Sequence, residues 1–222
     1  MKKLEHLTPY KPRHAPHRWV PKTYGQKVHL APTLDTSLLS KEETTKIQRI
    51  VGSFLYYARA VDNTIQPAIN EIAATQASPS KKTQDATIML MDYLYTHPDA
   101  KIRYTASDMQ LYVDSDAAHL VAPKAKSRIA GYFHLSKKHI PESNNPDPPL
   151  NGPIHIECQV LKHVVSSAAE AETSGIFQNM KSAVYIGRML EALGHKQDNI
   201  LIKTDKSTAE AFSNSTLKEK KE

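Results

Sequence analysis

The 222-residue chain predicts an α/β fold, a mixed sheet with flanking helices, preceded by a small all-helical region and an irregular N-terminal arm. Three observations predict it. Residues 40–97 repeat apolar side chains at helical spacing. Residues 100–165 carry short strand-like segments separated by turn-forming loops. Residues 168–193 then read as one long helix, followed by a strand and a further helix, an alternation that suits helices packed on a sheet. The divisions fall at 1–40, 41–105 and 106–222.

The first forty residues combine Pro9, Pro12, Pro16, Pro21 and Pro32 with Lys, Arg and His and with Trp19 and Tyr24. The prolines break any helix. Basic residues interleaved with aromatics can contact nucleic acid; equally, the stretch can be a connecting arm packed on the next domain. Ser40 with Glu43 three residues later forms a capping-box pattern. Ile47, Ile50, Val51, Phe54, Leu55 and Ala58 follow at helical spacing. A second helix is expected at 66–77. Ser78, Pro79 and Ser80 mark a break. A third is expected at 83–96, with Ile88, Leu90, Met91, Leu94 and Tyr95 as its apolar residues and His97-Pro98 as its stop.

Strands are expected at 102–104, 110–114, 129–135 and 154–165, with a Pro/Asn-rich loop at 141–153. The long helix has Ser166 or Ser167 as its cap and Gly194 as its end. A strand at 199–204 and a helix from Ser207 complete the pattern, and the mixed charges of 218–222 read as solvated.

Hydrophobic residues make up 40% of the chain, enough for a core, and no apolar run is long enough to cross a membrane. The single cysteine, Cys158, excludes an internal disulfide and a multi-cysteine zinc site, which sets cytoplasmic or nuclear residence as the expectation. Net charge is +6 and the pI about 9.2, a balance that suits a polyanionic partner or simply a basic soluble protein. Seven glycines and no glycine-rich phosphate loop disfavour a nucleotide-binding ATPase. His134, His139, His155 and His163 lack the helical His-Glu pairing of a zinc hydrolase, so they read as surface or strand-facing.

Three acidic residues carry the chemistry. Asp114 ends a strand, Glu172 lies in the first turns of the long helix, and Asp205 ends a later strand. Carboxylates brought together repel unless cations lie between them, and an oxygen-rich site suits Mg²⁺ or Mn²⁺. Helical spacing favours Glu172 over Glu170: Glu172 shares a stripe with Ile176, Met180, Ala183 and Gly187.

The local sequences resemble the ribonuclease H region of copia-type retrotransposon polyproteins. Tyr112-Val113-Asp114-Ser115-Asp116-Ala117 is similar to its first-strand motif. Ser166-Ser167-Ala168-Ala169-Glu170-Ala171-Glu172 is similar to its Ser-Ser-x-x-Glu-Ala-Glu signature, and Thr204-Asp205-Lys206-Ser207-Thr208-Ala209 to its Cys-Asp-Asn-x-Ser-Ala segment. Upstream, Arg49-Ile50-Val51-Gly52-Ser53-Phe54-Leu55-Tyr56-Tyr57 is similar to a Leu-Val-Gly-Ser-Leu-Leu-Tyr segment of the reverse transcriptase, beyond its palm, in a thumb- or connection-like region. The resemblance spans residues 45–217.

It implies a ribonuclease H-like sheet in which Asp114, Glu172 and Asp205 are the catalytic residues and hold two Mg²⁺ (or Mn²⁺) ions. Asp116 and Glu170 would then stand in the second shell. The implied reaction cuts the RNA strand of an RNA–DNA hybrid, with Lys124, Lys126, Arg128 and Lys206 as candidate phosphate contacts; a solvated loop is the other reading of the first three. The implied partners are nucleic acid and the rest of the polyprotein. Three departures stand out: Thr173 replaces an aromatic, Lys206 replaces an Asn, and neither the family's Tyr-x-Asp-Asp motif nor its fourth acidic segment is present. The chain therefore reads as a fragment cut at both ends, and a catalytically inactive remnant that at most binds nucleic acid is the alternative.

Overall fold

The computed structural model describes residue 4 and residues 6–18, 37–122, 125–139 and 148–205. The chain forms two compact units: the first, helical, ends at Ile102 and the second, built on a sheet, begins at Arg103.

In the first unit α1 is Lys41–Ala60, α2 is Gln66–Thr75 and α3 is Lys81–Thr96, with a 3-10 turn at Asn63–Ile65 leading into α2. The capping box at α1 forms as expected: the Glu43 N–H donates to Ser40 Oγ at 3.2 Å and the Ser40 N–H to Glu43 Oε2 at 3.0 Å. Ile47, Val51, Ala58, Ile65, Ile69, Ile72, Leu90 and Leu94 bury together between the three helices. Ile88 and Tyr95, expected on the apolar stripe of α3, are instead exposed. Residues 6–14 run along the C-terminal part of α3: His6 Nε2 donates to Asp92 Oδ1 at 2.9 Å, the Arg13 N–H donates to Thr96 Oγ1 at 3.0 Å, and the His14 and His97 rings share a hydrogen bond at 3.2 Å.

The second unit is a mixed α/β structure. Its strands are β1 (Gln110–Ala122), β2 (Lys126–Ser136), β3 (Pro153–Val160) and β4 (Leu201–Lys203), with α4 (Ala168–Ala192) between β3 and β4. Their order in the sheet is β3-β2-β1-β4. β1 pairs antiparallel with β2, and β2 antiparallel with β3, whereas β4 returns parallel to β1 after the α4 crossover. The expected strand at 102–104 is absent. There the chain is held by side chains instead: Tyr104 Oη donates to the Pro153 carbonyl, and Asn151 brackets Thr105 by accepting from its N–H and donating to its carbonyl. β1 runs eight residues past the expected end at Asp114, through a bulge between Ala118 and Ala122 where Leu120 adopts φ +56°. The helix expected from Ser207 lies outside the described residues.

Alternation along β1 decides what meets the helix. Leu111, Val113 and Phe133 pack with Ala183 and Leu190 of α4, and Ile129 packs with Ala171. The opposite face carries Tyr112, Asp114 and Asp116 from β1 and Tyr132 and His134 from β2. Ser167 caps α4 by accepting from the Glu170 N–H, and Gly194 ends it with φ +92°, the left-handed geometry that glycine adopts without strain. Among the described residues, no helix is long and apolar enough to cross a membrane.

Candidate metal centre

Carboxylate oxygens of Asp116, Glu172 and Asp205 lie within 4.8 Å of one another. The register explains why these three meet. The parallel β1–β4 ladder ends with Asp114 opposite Lys203. Asp116 is two residues beyond on β1 and Asp205 two residues beyond on the chain leaving β4. On β1 the step of two keeps Asp116 on the face of Asp114; Asp205 lies in a bend just past the end of β4, where its carboxylate meets that of Asp116. Glu172 joins them from the second turn of α4.

The grouping differs from the expected one at the first strand. Asp114 was expected among the three carboxylates and Asp116 beside them; the grouping instead contains Asp116. Asp114 sits one pleat back, about 6.6 Å along the strand. Its Oδ2 is 3.7 Å from Nε2 of His134, a buried ring stacked on Tyr112. Burial pushes the His134 imidazole below its ordinary pKa, with Asp114 opposing the shift.

The choice between the two glutamates follows the helical period. Glu172 is 1% exposed and turned inward. Glu170, two residues away, is exposed, and its Oε2 accepts from both the N–H and the hydroxyl of Ser166 at 2.7 Å. Those two bonds hold its carboxyl below the usual range. Glu170 therefore acts as a helix-capping residue and is not one of the three clustered carboxylates.

The buried stripe of α4 also differs in one place from the expected one. Met180 is 45% exposed, and Asn179 takes its place in the interior with no exposure at all. The Asn179 Nδ2 donates to Ser115 Oγ and to the Ala130 carbonyl, both at 2.9 Å. Sequence reading missed this residue. The available signal was a polar side chain seven residues, two helical turns, after Glu172.

Lys126 and Arg128 are half-buried on β2, where Arg128 pairs with Ala118, the next position along the face that carries Asp116. Lys124 and Lys206 lie outside the described residues. The histidines stay out of the acidic group: His155 pairs with Glu157 at 3.1 Å and His163 is exposed. Cys158 is a half-buried thiol on β3 and is in no disulfide.

The donor set fits a hard divalent cation. All three groups offer oxygen, and ligands of one octahedral Mg²⁺ stand at most about 4.2 Å apart, so oxygens within 4.8 Å of one another need only small shifts to share an ion. Ionised together without a cation, carboxylates this close repel by about 4 kcal/mol per pair at an effective dielectric near 20, less where water screens Asp116 and Asp205.

Searches of protein-family models, curated proteins and solved structures found no match to this chain.

Proposed function

We propose that the second unit is a ribonuclease H-type nuclease from a copia-type retrotransposon polyprotein, hydrolysing the RNA strand of an RNA–DNA hybrid. The observation that carries the reading is the convergence of Asp116, Glu172 and Asp205 from a first strand, the start of a helix and the end of a parallel strand. The β3-β2-β1-β4 order with a single parallel pairing also supports a ribonuclease H-like sheet.

In this reading Asp116, Glu172 and Asp205 hold Mg²⁺ or Mn²⁺, two ions in the full reaction. When bound, the ions supply an activated water and charge neutralisation at the departing 3′ oxygen. Buried Glu172 gives the group one fixed ligand. Exposed Asp116 and Asp205 leave the cation face open to a phosphodiester. Arg128 and Lys126 border the same sheet and suit backbone phosphates, so affinity should fall steeply with salt. Nuclear or cytoplasmic residence belongs to the same reading. A non-catalytic nucleic-acid-binding remnant is the second reading, favoured by the net charge of +6 alone.

The test is the purified chain with Mg²⁺ or Mn²⁺ on a hybrid labelled in either strand. Nicks confined to RNA, and lost in Asp116→Asn, support the nuclease. RNA cleavage no greater than that of Asp116→Asn leaves the binding remnant.

A further inference from the structure

We infer that Asn179 is a positioning residue for the acidic group: its amide ties α4 to the hydroxyl of Ser115, next to Asp116 on β1, and to the carbonyl of Ala130, opposite Asp116 on β2, and so sets where Glu172 meets that carboxylate. The inference rests on the reading of Asp116, Glu172 and Asp205 as a cation site.

Both donors of the Asn179 amide are committed, and their targets are informative. Ser115 immediately precedes Asp116 in β1, and Ala130 is the residue opposite Asp116 in the β1–β2 ladder. One side chain thus grips the strand carrying Asp116 and the strand beside it at adjacent rungs. It does so from the helix that carries Glu172, two turns away on the same buried stripe. The orientation of the amide is set by chemistry. Flipped, its oxygen would face the Ala130 carbonyl oxygen, a contact between two acceptors.

The position is costly for stability alone. Asn179 is fully buried, and its Oδ1 has no hydrogen-bond partner. That oxygen also demands a glycine across from it: a Cβ at Gly131 would stand 2.2 Å from Oδ1. An apolar side chain of similar volume would leave no buried acceptor unsatisfied. What the amide adds is a directional link that stops α4 sliding or rotating over β1. A cation site needs that link, because its ligands come from both elements.

Mn²⁺ affinity of the full chain, read by electron paramagnetic resonance titration, tests the proposal in the wild type, Asn179→Leu, Ser115→Ala and Leu190→Ala. Leu190 lies in the apolar core on the same helix and reports general loosening. Asn179→Leu should bind Mn²⁺ about tenfold or more weakly, the usual effect of losing a group that orients a ligand. Ser115→Ala, which removes one oxygen and keeps the fold even if Asn179→Leu does not, should also weaken binding. Leu190→Ala should lower the melting temperature and leave the affinity unchanged. Wild-type affinity in Ser115→Ala and in folded Asn179→Leu overturns the positioning role and leaves the cation site standing. Equal weakening in Leu190→Ala overturns it too, since the effect would then be general. A wild type that binds no Mn²⁺ overturns both.

Discussion

Asp116 and Asp205 stand side by side one step past the end of the β1–β4 ladder, whose last rung pairs Asp114 with Lys203. The candidate centre is thus defined by where a three-residue strand stops. Its chemistry depends on which of two aspartates, identical in face and two residues apart, lies beyond that stop.

The first prediction separates those aspartates. Asp116→Asn should reduce metal-dependent cleavage of the hybrid by at least about 100-fold, the scale of loss that misplacing a reacting group produces. Asp114→Asn should keep most of the activity, because Asp114 faces His134 and not the acidic group. Single-turnover rates in Mg²⁺ and Mn²⁺ make the comparison.

The second concerns stability. A cation that binds only the folded chain stabilises it by about 2.7 kcal/mol at a hundred times its dissociation constant. The melting temperature of the wild type should therefore rise with Mn²⁺. Glu172→Gln should melt at or above the wild type without metal, since it relieves carboxylate repulsion, and should lose the metal-dependent rise. Thermal melts with and without Mn²⁺ read both effects.

Gly131 provides a third. Its substitution by Ala forces a methyl group against Asn179 Oδ1 and Cγ and against the Phe133 ring. Overpacking of this kind costs about 1–3 kcal/mol. Because the two shortest contacts belong to Asn179, the Gly131→Ala/Asn179→Ala double variant should recover part of the loss. Urea denaturation of the four members of the cycle measures the coupling.

The fourth is a pH dependence in the helical unit. The Glu43 carboxyl lies below its ordinary value, held there first by the Ser40 N–H, then by Gln84, then by the Ser40 hydroxyl. The unfolded chain therefore takes up this proton more readily than the folded one. The stabilisation is complete above the ordinary glutamate pKa and disappears as pH falls through the lower folded value. Glu43→Gln keeps a capping-box side chain but cannot ionise. Its melting temperature should converge on that of the wild type as pH falls from 6 towards 3, and an unchanged gap would refute the assignment.

The elements whose signals are local were legible in the sequence. The capping residues of α1 and α4, the glycine that ends α4 and the inward turn of Glu172 rather than Glu170 all follow from side-chain chemistry within one or two helical turns. The choice of Asp116 over Asp114 was not legible. Both point to one face of β1, and the deciding fact is the register and length of a strand almost ninety residues away. The false strand at 102–104 has a similar cause, since Asn151 and Pro153, distant in sequence, hold the adjoining Thr105 backbone and the Tyr104 hydroxyl. Asn179 was obscured by its neighbour, because Met180 is the more apolar residue yet faces solvent.

The most direct test of the acidic centre is anomalous diffraction from crystals of this chain soaked in Mn²⁺. The account predicts a peak within coordination distance, about 2.0–2.6 Å for hard cations, of carboxylate oxygens from Asp116, Glu172 and Asp205 together. A peak bound by Asp114 in place of Asp116, or no peak at this sheet edge, would contradict it.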